Sequence, residues 1–213
     1  LAKIISALPK NADKDFSYFV SKFYAKLPVD DLLALEPDKA IALAKNAFEF
    51  MTERKGDAPK IRIFTPDKKQ HGYESRHLVL ELINYDMPFL VDSLSMELTR
   101  RGFTIYTTIH PIINVSRDKN GKILTISDKG DKKESLIHFE ISSIPDGTES
   151  DQLIQDLDWI LQNVRASVED WKKIMEKAKL AADSLKLGGK TTSADSIDEV
   201  RDFLEWIVDK NFI

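Results

Sequence analysis

The sequence predicts an α+β fold: an antiparallel sheet carrying helices, with a small helical subdomain before it and a long helical hairpin after it. Three observations predict this. Apolar residues recur at helical spacing from Asp15 to about Gly56, the period changes to two from Lys60, and it returns to steps of three and four after Ser150.

The first element follows from Phe16, Phe19, Val20, Phe23, Tyr24 and Leu27, which form one wide apolar stripe on a helix over 15–27. "VDDLLAL" continues as a short helical turn. Pro37 then sits where a first helical position tolerates proline, ahead of Ile41, Ala44, Phe48 and Met51, and Gly56 is the expected stop. Residues 1–58 thus read as a helical subdomain whose aromatic side chains need a partner surface.

"KIRIF", Lys60 to Phe64, is a short strand. "HLVLELINY", His77 to Tyr85, is apolar on nearly every residue, as a strand covered on both faces is, and it belongs in the middle of the sheet. Pro88 opens a helix with Leu90, Val91, Leu94 and Leu98 on one face, and Gly102 ends it. "FTIYTTIHP" returns as a strand, "IINVSRDKNGKILTIS" has the Asn120-Gly121 pair of a tight hairpin, and "SLIHFEISSI" is a further strand. Thr148 or Ser150 caps a helix whose apolar positions Leu153, Leu157, Ile160, Val164, Val168, Trp171 and Met175 step by three and four. Running on to Leu185 at about 1.5 Å per residue, that helix is about 50 Å long, so its far half must pack elsewhere. Gly188-Gly189 breaks it, and a capping pair Ser196 and Glu199 starts a second helix through Ile197, Val200, Phe203, Leu204 and Ile207 that can fold back along it. The expected division is therefore 1–58 helical, 59–175 α+β and 176–213 helical hairpin. The first residue is Leu1 rather than Met, and the chain stops just after a helix has begun, which reads as a piece of a larger protein.

Composition limits the function classes. Lys and Arg number 31 against 35 Asp and Glu, dispersed to a net charge of −4, so no concentrated positive field exists to hold phosphates and no nucleic acid partner is expected. The absence of cysteine excludes disulfides, thiol catalysis and thiolate metal sites, and it fits a reducing, cytoplasmic location. No apolar run approaches the roughly 20 residues of a membrane span. Gly189-Lys190-Thr191 imitates the tail of a phosphate loop, but Ser184 stands where the pattern needs glycine and a helix precedes it instead of a strand. The dinucleotide fingerprint G-x-G-x-x-G is missing.

The stretch "NYDMPFLVDSLSMELTRRGFTI" resembles the first turn, helix and second strand of ACT domains, where an Asp-x-Pro turn joins strand to helix. Together with "IHPIINVSRDKNGKI", "SLIHFEISSI" and "ASVEDWKKIM", it is similar to the N-terminal region of the large NAD-specific glutamate dehydrogenases of bacteria, over essentially the whole chain. The resemblance implies a ferredoxin-like, ACT-like sheet, and it implies that glutamate and dinucleotide binding lie in a separate dehydrogenase unit. No cofactor is then expected in this chain, with NAD bound by the parent enzyme. An ACT fold needs βαββαβ, yet no strand follows the Ser150 helix. Lys60 to Phe64 supplies the spare strand, and the expected order is Lys60–Phe64, His77–Tyr85, Ser135–Ile141, then Phe103–His110, with the Asn120-Gly121 hairpin as an extension and both helices on one face.

The candidate effector or interface turn comprises Asn84, Asp86, Met87, Pro88, Phe89, Asp92 and Ser93, with His110 brought near it by the ferredoxin-like topology. Asp86 and Asp92 read as a helix cap and a first-turn carboxylate, or as ligand contacts. Asn84 serves turn geometry or ligand recognition. Ligand-binding ACT domains have glycine where Phe89 stands, so Phe89 crowds or roofs such a site, or plugs it; as a plug, its replacement by Ala would open a core cavity. His71, His77, His110 and His138 show no metal-ligand spacing or nucleophile partner and read as structural or interface residues, so no catalytic or metal residue is assigned. The expectation is a non-catalytic regulatory or assembly module whose partners are the other domains and subunits of a homo-oligomeric dehydrogenase. The alternative is an amino-acid-sensing ACT domain that binds a small effector at the 84–93 turn.

Overall fold

Six strands pair into one antiparallel sheet in the computed structural model, which describes residues 1–144, 150–185 and 194–211. The strands are β1 (Lys60–Phe64), β2 (Leu78–Tyr85), β3 (Ile105–Ile109), β4 (Ile112–Arg117), β5 (Ile123–Ile126) and β6 (Lys132–Ile141). Before and between them lie α1 (Ala2–Ser6), α2 (Lys14–Phe23), α3 (Val29–Ala34), α4 (Pro37–Met51), α5 (Lys68–His71) and α6 (Leu90–Arg100). After them come α7 (Ser150–Leu185), α8 (Ala194–Trp206) and a π-helical turn, Ile207–Asn211. The chain divides into two compact units, Leu1–Gln162 and Asn163–Ile213, with the division inside α7.

The spare strand sits where strand counting places it. β1 pairs with β2, β2 with β6, and β6 with β3, all antiparallel, in the expected order. The hairpin differs. β6 starts at Lys132, earlier than the apolar run suggests, and this extra length lets β4 pair with it through Ile112↔Ser135 to Val115↔Lys132. β3 and β4 thus lie end to end along one edge of β6, separated by His110 and Pro111, and β5 continues the sheet beyond β4. Proline lacks the amide a ladder needs, so the edge breaks there.

The β4–β5 connection also departs from a two-residue turn. It spans residues 118–122: Asp118 Oδ1 accepts from the amides of Asn120 and Lys122, and Gly121 takes φ +86°. A side chain at Gly121 would meet the carbonyl oxygen of Arg54 at 2.0 Å. The loop is stitched there to the segment after α4, because Arg54 N–H donates to Gly121 O at 3.0 Å and Ile123 N–H to Thr52 O at 2.9 Å. α4 accordingly ends at Met51, ahead of the Gly56 expected to stop it.

Alternation along β2 and β6 gives the sheet two distinct faces. Ile83, Leu136, Ile109, Ile113, Val115 and Ile126 form one core with Phe19, Val20, Phe23 and Tyr24 of α2 and its C-cap and with Leu43, Ala47 and Met51 of α4. Each large apolar side chain removed from water here contributes about 1.5–3 kcal/mol, which accounts for the N-terminal helices. Asp13 caps α2 by accepting from Asp15 and Phe16 amides. On the other face lie Leu80, Leu82, Ile137 and Phe139, together with buried Leu90, Leu94 and Leu98 of α6 and Leu153, Leu157 and Leu161 of α7. Arg101, after α6, forms an ion pair with Asp156 of α7. Gly102 at φ +86° ends α6 as expected, and Phe103 N–H donates back to Leu98 O at 3.0 Å.

Thr148, the Gly188-Gly189 break and the Gly189-Lys190-Thr191 segment lie outside the described residues, as does the Ser196 side chain.

Candidate functional site

The candidate turn leaves the end of β2, and its geometry is set by three polar residues from three elements. Asp86 follows β2, Ser135 lies on β6 opposite Asn84, and His110 lies between β3 and β4. Ser135 Oγ donates to Asp86 Oδ1 at 2.8 Å, and His110 Nε2 stands 3.0 Å from the same Oγ. A hydroxyl carries one proton. Since it goes to Asp86, Nε2 is the donor to Ser135, which fixes the His110 tautomer. Burial pulls the His110 pKa below its ordinary value, Lys26 adds to this, and Asp86 opposes it.

This arrangement holds a serine, a histidine and an aspartate, but in an order that does no nucleophilic chemistry. A serine nucleophile gives its proton to histidine, and aspartate orients the far nitrogen of that histidine. Here the serine is the middle link and is fully buried, so its hydroxyl serves as a clamp between the turn and the β3–β4 junction.

Asp86 is not the helix cap that the sequence suggests. α6 starts at Leu90 with Phe89 as its N-cap and no side-chain cap hydrogen bond, while Asp86 turns to Ser135 and its amide donates to Lys133 O at 3.0 Å. Pro88 precedes the helix rather than opening it. Phe89 adopts φ +69°, the only positive φ outside glycine among the described residues. It keeps the left-handed backbone that glycine would supply, and its side chain points outward, 51% exposed. Phe89 therefore does not plug a core site, and no cavity opens behind it on truncation. Asn84 is buried, Met87 and Ser93 are half-buried, and Pro88 and Asp92 are exposed, with Asp92 in the first turn of α6.

Sequence reasoning missed Ser135 because a serine at the start of an apolar strand carries no signal until its neighbours are known. It also missed two buried carboxylates on the α2–α4 face of the sheet. Glu134 accepts from Arg54 Nη1 at 3.0 Å and from Arg117 through Nε at 2.9 Å and Nη2 at 2.6 Å. Glu81 accepts from Arg62 at 2.8 and 2.6 Å and stands 2.8 Å from His138 Nδ1. Burial opposes ionisation of Glu81, but the hydrogen bonds and charges of His138 and Arg62 prevail and hold its carboxyl below the usual range. The legible signal was Glu81 itself, an acid interrupting "HLVLELINY" that must find a cation inside.

The other histidines hold ring contacts and hydrogen bonds. His71 stacks on Phe64 and His77 on Tyr106, at centroid distances of 4.6 and 4.0 Å. Among the described residues no cluster of His, Asp or Glu could hold a metal ion, and no helix is long and apolar enough to cross a membrane.

The sheet order, the two covering helices and the Asp-x-Pro turn define an ACT-like α+β module. The chain belongs to the family described as glutamate dehydrogenase, ACT1 domain, whose model matches residues 19–157. It is similar to the NAD-specific glutamate dehydrogenase of Halomonas elongata, 29% identical over 99% of this chain and 13% of that protein. It is likewise similar to the NAD-specific glutamate dehydrogenase of Pseudomonas aeruginosa, 30% identical over 91% of this chain and 12% of that protein. The chain thus spans about an eighth of the length of these curated relatives.

Proposed function

We propose that this chain is a non-catalytic regulatory and assembly module from the N-terminal region of a large NAD-specific glutamate dehydrogenase acting in the cytoplasm. Residues 59–175 form its ACT-like body, 1–58 cover one face, and 176–213 extend it. The parent reaction is oxidative deamination of L-glutamate by NAD and water to 2-oxoglutarate, ammonia and NADH, carried by a unit elsewhere in the polypeptide. The observation that carries this reading is the match to the ACT1 family within relatives eight times its length. The clamp role of Ser135 supports it, since the one serine–histidine contact near the turn is wired for structure. Isothermal titration of the chain with NAD, and an assay of glutamate-dependent NAD reduction, test it. Neither binding in the micromolar range nor turnover is expected, and either one overturns the reading.

A second reading is supported by Phe89. Its ring points outward, 51% exposed on a backbone at φ +69°, so the turn is not plugged by it and a small amino acid could be received over residues 84–93. Calorimetry with a panel of amino acids separates the two: saturable heat abolished by Asp86→Asn selects the sensor, and no heat from any of them selects the assembly module.

A further inference from the structure

Asn120-Gly121 is the only Asn-Gly pair in the sequence, and it carries a chemistry that the β4–β5 turn does not use. Glycine has no Cβ to shield its amide nitrogen, and its free φ and ψ let that nitrogen reach the side-chain carbonyl carbon of a preceding asparagine. The attack forms a bond from the Gly121 nitrogen to Asn120 Cγ and breaks the Cγ–Nδ2 bond, and ammonia leaves with the amide proton. Water then opens the resulting five-membered imide at either carbonyl. One opening gives aspartate. The other gives isoaspartate, in which the main chain runs through Cβ and Cγ and is one carbon longer. Asparagine and water become a carboxylic acid and ammonia, so neither oxidant nor reductant is needed.

The folded loop exposes Asn120 but buries Gly121. It also occupies the nucleophile, since Gly121 N–H donates to Asp118 O at 3.0 Å. Asp118 Oδ1 holds the amides on either side, those of Asn120 at 2.8 Å and Lys122 at 2.9 Å. Gly121 O in turn accepts from Arg54 N–H at 3.0 Å and from Arg117 Nη1 at 2.7 Å, and Arg117 is anchored on buried Glu134. Turning the Gly121 nitrogen toward Asn120 Cγ therefore breaks its own hydrogen bond and pulls on both bonds to its carbonyl. The reaction must pass through an opened loop, as amide hydrogen exchange does.

We propose that Asn120 is a self-modification site which the stitching of the β4–β5 loop to the segment after α4 keeps closed, and that isoaspartate at this position releases the loop irreversibly. Gly121 has no room to shift, because even a Cβ there would strike the Arg54 carbonyl. An extra main-chain carbon directly before it cannot keep both Gly121 N–H on Asp118 O and Gly121 O on Arg54 N–H, and a buried main-chain group that loses its partner is costly. Aspartate has the same main chain as asparagine, so its formation leaves every one of these bonds in place.

Peptide mapping by mass spectrometry of the 213-residue chain, sampled over days at mildly alkaline pH, resolves the asparagine, aspartate and isoaspartate forms of residue 120 and is the test. Conversion in the folded chain is expected to be slower than in concentrated urea by about tenfold or more. Asp118→Ala, which frees two amides of the loop, should speed conversion in the folded chain by about threefold or more. Asp118→Asn keeps an Oδ1 acceptor and should stay within about twofold of the original. Among the products, Asn120→Asp should melt with the unaltered chain, and the isolated isoaspartate form about 2–4 °C lower or more. The comparison with urea needs no variant, so the proposal stays exposed even where circular dichroism shows Asp118→Ala to be unfolded. Conversion as fast in the folded chain as in urea, no conversion in urea, a folded Asp118→Ala chain that converts no faster than the original, or an isoaspartate form that melts with the unaltered chain each overturns it.

Discussion

Arg117 and Glu134 meet in a two-point ion pair across the β4–β6 ladder, Nε to Oε1 at 2.9 Å and Nη2 to Oε2 at 2.6 Å, with Glu134 completely out of solvent. The same guanidinium donates to Met51 O at 3.0 Å and to Gly121 O at 2.7 Å. A single buried pair therefore joins the end of α4, the β4–β5 loop and the long strand β6. Arg54 donates to the same Glu134 Oε1 through Nη1 at 3.0 Å, its guanidinium lying 4.3 Å from the Tyr85 ring centroid.

Removing the carboxylate leaves two buried cations without their counter-charge. Glu134→Ala is expected to cost about 3–5 kcal/mol in urea unfolding. Lys45→Ala, on an exposed i,i+4 pair with Glu49, should change stability by less than about 0.5 kcal/mol and serves as the reference. Equal effects of the two substitutions would show that the Glu134 system does not hold the loop.

Phe89 tests whether the turn is a plug. Its half-exposed ring predicts that Phe89→Ala costs less than about 1.5 kcal/mol, whereas Phe19→Ala, at a fully buried position, costs about 3–5 kcal/mol. Phe89→Gly should be tolerated at least as well as Phe89→Ala, since glycine adopts φ +69° without the Cβ penalty of about 1 kcal/mol. A loss of stability at Phe89 equal to that at Phe19 would refute the outward ring.

Glu97 sets an acid limit. Hydrogen bonds from Arg100 lead the effects that hold its carboxyl at about 2, against an ordinary 4.5, with burial opposing and Arg101 adding to the clamp. A depressed carboxylate stabilises the fold above its unfolded pKa, and that contribution disappears as protons bind in the folded state. Stability attributable to Glu97 should therefore be complete above pH 4.5 and fall progressively toward pH 2, and Glu97→Gln should flatten that part of the profile. An unchanged acid slope in the variant would count against the clamp.

His110 titrates with the opposite chemistry but the same sense. Its folded pKa lies below 6.5, chiefly through burial, so the neutral ring is favoured in the folded state and stability is lost as pH falls below 6.5. NMR titration of His110 should give a midpoint under 6.5, and Ser135→Ala, which frees Asp86, should shift it. A midpoint above 6.5 would mean that Asp86 outweighs burial.

The apolar periods determined by themselves the identity of the strands, the α2, α4, α6 and α7 helices and the two-faced burial of β2, because period and run length are local quantities that burial must obey, while the place of β1 beside β2 followed from counting strands against the ACT resemblance. The Asp-Met-Pro turn and its flanking blocks likewise carried the family. Only the tertiary structure decided that β6 reaches back to Lys132 to accept β4 end to end with β3, that the hairpin loop is five residues long around Gly121, and that Asp86 bonds Ser135 instead of capping α6. It alone paired Glu81 with Arg62 and His138, and Glu134 with Arg54 and Arg117. The reason is physical. A buried charge is satisfied by whichever opposite group the fold brings within hydrogen-bond reach, and Arg54 and Glu134 are 80 residues apart in the chain, so no spacing along the sequence records their meeting.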